Sequence, residues 1–136
     1  LGMIYEILGR YPEAIKTYKA LLDLNPNHKE AMFSLGWALM DEKRYLEAAP
    51  ILKQAVRLNP KNADTHYSLG MVYAELGRND DALTQYRKTL QMDLNHTGAH
   101  EKILRLQKEA KIKPLRQPTA RNAATRQKNS DIILLP

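Results

Sequence analysis

Three glycines, Gly2, Gly36 and Gly70, stand 34 residues apart, and the residues around them repeat in the same register. Leu1-Gly2 recurs as Leu35-Gly36 and Leu69-Gly70. Tyr5 recurs as Leu39 and Tyr73, Ala14 as Ala48 and Ala82, Tyr18 as Leu52 and Tyr86, and Pro26 as Pro60. A fixed period of this size means stacked units, each too small to bury its own apolar face. In the second copy Ala31, Leu35, Ala38 and Leu39 recur at helical spacing, as do Tyr45, Ala48, Ala49, Leu52, Ala55 and Val56. A turn around 41–44 separates the two runs, and the second stops before Pro60, which cannot continue a helix. Each copy therefore reads as two antiparallel helices. A glycine inside a helix costs about 1 kcal/mol relative to alanine. Its recurrence points to a steric need where the two helices cross, shared with Ala48 and Ala82. Gly9 and Gly77 fall at the intra-repeat turns, where positive φ ends a helix. Lys43 replaces them in the second copy, so that turn must close differently or carry strain.

The sequence of a large residue, Leu-Gly, Tyr, Ala, an aromatic and a closing Pro resembles the tetratricopeptide repeat. The resemblance covers roughly residues 1–111. It implies an all-α, right-handed superhelical solenoid of antiparallel helix pairs with a C-terminal capping helix. The expected division is a truncated first repeat 1–28, repeats 29–62 and 63–96, a capping helix 97–111 and a flexible basic tail 112–136. In the fourth copy Ile103-Leu104 stands where Leu-Gly is expected, and Met92-Asp93-Leu94 replaces Leu-Asn-Pro. The helix there has a polar surface of Lys102, Arg105, Gln107, Lys108, Glu109 and Lys111, which suits the end of a solenoid. At the other end about six residues of the first helix are missing from the 34-residue pattern. Further repeats are therefore expected upstream, with Ile4, Leu8 and Ile15 under-covered.

Charge and chemistry narrow the function. Residues 1–113 hold 17 basic and 14 acidic side chains, so half of the net charge of +6 sits on residues 114–136. That segment ends in the apolar run Ile132-Ile133-Leu134-Leu135-Pro136. The nearly balanced body lacks the broad basic stripe of a nucleic-acid binder, and residues 112–136 lack aromatics for base stacking. No cysteine is present, and no run of about 18 apolar residues marks a membrane span. No leader is visible, and a soluble, cytoplasmic chain is favoured. Gly-rich phosphate loops, zinc-spaced ligands and nucleophile elbows are missing. His66 and His100 are one period apart and His28 and His96 two periods apart, so repeat register accounts for all four. No catalytic residue, metal site or cofactor is expected, and the chain is read as not an enzyme.

In tetratricopeptide arrays the first helix of each pair lines a concave face. The resemblance maps that face by offset from the motif glycine. It implies a peptide-binding groove of Met3, Glu6, Glu30, Phe33, Trp37, Met40, Asp41, Asp64, Tyr67, Met71 and Glu75, flanked by Ile7 and Ala74. The chain's only Trp and only Phe fall here, and aromatics and Met are enriched in interface cores. The rim is acidic and carries no Lys or Arg. Some members of the family clamp a chaperone's C-terminal carboxylate with Lys, Asn and Arg. The equivalent positions here are Met3, Phe33, Ser34, Trp37, Asp64 and Ser68, which argues against that role. The expected function is a protein- or peptide-binding adaptor or scaffold whose partner pairs an apolar anchor with basic residues. The alternative is a structural spacer or self-assembly module of a larger polypeptide, one that carries an enzyme included.

Overall fold

The structure, a computed structural model, describes residues 1–116, with side chains to Lys111. Among the described residues there are helices and no strand. In chain order they are α1 Gly2–Ile7, α2 Tyr11–Leu24, α3 Lys29–Asp41, α4 Tyr45–Leu58, α5 Ala63–Glu75, α6 Asn79–Met92 and α7 Thr97–Arg116. The chain divides into two compact units, Leu1–Lys102 and a second that begins at Ile103.

The first unit is an all-α solenoid. It stacks the pairs α1/α2, α3/α4 and α5/α6, and consecutive helices supply most of the packing. Its core repeats with the sequence. Ala14, Ala48 and Ala82 are fully buried, as are Leu52 and Tyr86. The glycines lie opposite these large residues. A Cβ at Gly2 would sit 2.7 Å from the Tyr18 ring, and one at Gly70 would sit 2.6 Å from the Tyr86 ring. Leu52 crowds Gly36 in the same way. Each glycine thus lets one large side chain of the second helix lie on the backbone of the first. Ile4 and Leu8 are exposed, as expected, but Ile15 is only 3% exposed. α2 packs against both α1 and α3, and that position faces the core.

The turns are copies of one another. Within each pair the helix closes with paired bonds of the Schellman type: Gly9 N to Glu6 O with Arg10 N to Tyr5 O, Lys43 N to Met40 O with Arg44 N to Leu39 O, and Gly77 N to Ala74 O with Arg78 N to Tyr73 O. Lys43 adopts φ 59° where Gly9 and Gly77 adopt 71° and 77°. The second turn therefore closes as the others do and accepts the strain. Between pairs, His28 N, Asn62 N and His96 N donate to the carbonyls of Asn25, Asn59 and Asp93. The third of these turns has no proline. There the Asp93 carboxylate accepts from Asn95 N at 3.1 Å, a local bond that ends the helix in its place.

The helix starts alternate between two devices. At α3, α5 and α7 the N-cap side chains of His28, Asn62 and His96 accept from the backbone N of Ala31, Thr65 and Ala99. At α2, α4 and α6 the preceding Arg10, Arg44 and Arg78 make no side-chain cap. Each instead pairs with an acid three residues on: Glu13, Glu47 and Asp81. Those acids also meet the positive end of the helix dipole.

The second unit, as far as it is described, is the remainder of α7. Its helical backbone continues past Lys111 and through Pro114 to Arg116. Arg105, Gln107, Lys108, Glu109 and Lys111 are exposed and Leu106 is buried. The rest of the expected tail, with Ile132–Pro136, lies outside the described residues.

Candidate functional site

The mapped face of α3 carries Phe33, Trp37 and Asp41 at steps of four, one stripe of a helix. The opposite face, with Leu35, Ala38 and Leu39, is buried. Beside the stripe a cleft of ≈ 380 Å³ opens, lined by Glu6, Ile7, Tyr11, Phe33, Ser34, Trp37 and Asp41. α1 supplies the first two, the start of α2 supplies Tyr11, and α3 supplies the rest. Phe33 and Ser34 are half-buried, whereas Trp37 is 39% exposed. An indole left that open beside a concavity is surface a partner can cover.

The cleft is acidic, and its lining holds no Lys or Arg. Burial pushes the Glu6 carboxyl above its ordinary range; the Tyr18 hydroxyl opposes this in part, and the charge of Asp41 adds to it. Asp41 keeps an exposed edge, yet partial desolvation raises its carboxyl, against the Tyr11 hydroxyl beside it and with the charge of Glu42. Asp41 in turn is the chief cause that raises the Tyr11 phenol. The buried Tyr18 hydroxyl completes no hydrogen bond of good geometry, although Ser34 and Glu6 are its polar neighbours and burial raises its phenol. Neither Glu6 nor Asp41 joins an ion pair among the described residues. The nearby Arg10 guanidinium is committed to Glu13 and lies 5.1 Å from the centre of the Tyr5 ring.

The remaining mapped residues do not join this cleft. Tyr67 belongs to a separate cluster, 4.5 Å from the His96 ring and 5.8 Å from the Tyr86 ring by centroids. His96 Nε2 there lies 3.8 Å from the exposed Asp64 carboxylate. Glu30 is exposed beside His28. Met3 and Glu75 are exposed, and Met40, Met71 and Ala74 are half-buried. Tyr11 is a lining residue that the offset mapping passed over, because that mapping counts only first helices and Tyr11 opens a second one. The arginine–acid pairs at the helix starts were also missed, although their 34-residue recurrence is plain in the sequence.

The histidines hydrogen-bond within the fold. His66 is buried and spans two elements, with Nε2 2.8 Å from Pro60 O and Nδ1 2.8 Å from Gln85 Oε1. His100 repeats the first contact, 2.8 Å from Leu94 O. Among the described residues no group of three or more His, Cys, Asp or Glu could hold a metal, and no helix is long and apolar enough to cross a membrane.

Two family models, both described as tetratricopeptide repeat, match residues 1–63 and 39–103. No curated protein sequence matches the chain. Among solved structures the chain is similar to MamA, with TM-score 0.80 and 29% identity over 84% of this chain and 67% of that one. The first TPR of Spaghetti (RPAP3), bound to the HSP90 peptide SRMEEVD, superposes with TM-score 0.78 at 22% identity, covering 80% of this chain and 86% of that one. YrrB, a TPR protein with an unusual peptide-binding site, gives TM-score 0.70 and 27% identity over 74% of this chain and 52% of its own.

Proposed function

The chain belongs to the tetratricopeptide repeat family, whose members are protein-interaction modules, and from that premise we propose that it is a protein- or peptide-binding adaptor or scaffold. The groove runs along the mapped faces of α1, α3 and α5. One observation carries the reading: an exposed Trp37 and a half-buried Phe33 share a cleft with two carboxylates that pair with no cation among the described residues. The RPAP3 domain takes SRMEEVD, an acidic segment. This cleft would meet such an end with Glu6 and Asp41 and with no basic side chain. The preferred partner therefore pairs an apolar anchor with Lys or Arg.

A peptide array followed by calorimetry tests this. Peptides that combine an apolar residue with a basic one should be selected. Trp37→Ala should weaken their binding by about 2 kcal/mol if the indole is a hot spot, with an unchanged melting temperature. Selection of acidic peptides, or a Trp37→Ala protein that loses fold and binding together, overturns the reading.

A further inference from the structure

We propose that the cleft between α1, the start of α2 and α3 seats one arginine side chain of the bound segment, its guanidinium held by Glu6 and Asp41 and stacked on Trp37 and Phe33. This deepens the proposed groove function and rests on it.

The argument begins with what the cleft lacks. Glu6, half-buried, and Asp41, at the exposed rim, line the same cleft, and the charge of Asp41 bears on Glu6. No described cation pairs with either. A neutral apolar anchor placed there would withdraw both carboxylates further from water and leave them unpaired, which is costly. An anionic group would add repulsion. A cation answers both charges at once.

The kind of cation follows from the walls. A bound metal ion is a poor fit, since two carboxylates fall short of the six or more oxygens that calcium takes, and no larger ligand group exists among the described residues. The other lining side chains are Ile7, Tyr11, Phe33, Ser34 and Trp37, so three of the seven are aromatic. Aromatic faces attract organic cations, arginine more often than lysine. A guanidinium is planar, weakly hydrated and carries five donors, so one face can stack while its edge serves two carboxylates. An ammonium is compact and strongly hydrated, and it gives up more on entering an apolar-walled cleft. The volume of ≈ 380 Å³ lies near the lower end of small-ligand sites, room for a side chain and not for a folded element.

The test uses the whole chain and four blocked peptides, Ac-Ala-Leu-Xaa-Leu-Ser-Gly-NH2, with Xaa arginine, lysine, citrulline or glutamate. Citrulline keeps the planar shape and removes the charge. Binding is read by calorimetry and by the emission of Trp37, the only tryptophan. The arginine peptide should bind about tenfold tighter than the citrulline peptide, the scale of one charge-assisted hydrogen bond, and tighter than the lysine peptide. Glu6→Gln and Asp41→Asn should each shrink the arginine-to-citrulline ratio severalfold while the proteins stay folded. If the peptides bind but citrulline equals arginine, or lysine outranks it, the arginine seat is wrong and the groove reading stands. If the substitutions leave the ratio intact in folded protein, the seat is also wrong. If no peptide of the series binds and the array selects none, both fall together.

Discussion

Lys43 occupies a left-handed backbone position, φ 59°, at a turn whose two counterparts use glycine. A Cβ in that region costs about 1–2 kcal/mol. Part of this returns on substitution, because glycine also loosens the unfolded chain. Lys43→Gly is expected to stabilise the protein by about 0.5–1 kcal/mol, seen as a melting temperature raised by a few degrees. An unchanged or lower midpoint would mean that Lys43 contributes something its backbone hides. The cleft carboxylates make the opposite bargain. Glu6 and Asp41 are raised in the fold, so ionising them favours the unfolded chain. The penalty is absent below the ordinary carboxylate range, sets in as pH rises through that range to the raised folded value, and is then constant. Glu6→Gln and Asp41→Asn should therefore melt above wild type at neutral pH. The gap should close on acidifying below about pH 4. A gap that widened in acid would reverse the assigned direction. The two carboxylates thus cost stability in the free protein, which suits groups kept for a ligand.

At the scale of helices, the pairing of α5 with α6 rests on Gly70 against Tyr86. A methyl at Gly70 would lie 2.6 Å from a ring that is fully buried and cannot swing clear. Overpacking of this kind costs about 1–3 kcal/mol, while alanine returns about 1 kcal/mol of helix propensity. Gly70→Ala should lower stability by about 1–2 kcal/mol in chemical denaturation, despite being the better helix former. A stabilised variant would show that the crossing has slack. The same logic explains why the element boundaries were legible. Glycine, alanine and the large residue recur together because the crossing needs all three. The N-caps were harder to see. His28 and His96 do the work of Asn62, and histidine is not a customary capping residue.

For the whole molecule, packing between neighbours along the chain has an energetic consequence. Stability in such an array is a sum over units and their interfaces, so it should vary along the chain. α1 is short and packs chiefly on α2, and Leu1, Met3, Ile4, Ile7 and Leu8 are exposed along it. α2 to α5 each have neighbours on two sides, and for α3, α4 and α5 both neighbours are full-length helices. Native-state hydrogen exchange should find the lowest protection in α1 and the highest in α3 to α5, with openings graded between them. Uniform protection from α1 through α6 would mean that the unit melts as one cooperative block.

The sequence alone determined the repeat, because a 34-residue period whose apolar residues recur at helical spacing reads as stacked helix pairs. It also placed Phe33, Trp37 and Asp41 on one stripe, since helical spacing is a local property. Which mapped residues meet in space was decided by tertiary structure. Tyr11 joins the cleft because α2 turns back at Gly9, and Tyr67 and Asp64 leave it for His96, at the head of α7. Offsets from a motif glycine fix directions on a helix. They cannot fix the distance between helices, and that distance determines where a cleft forms and which carboxylates share it.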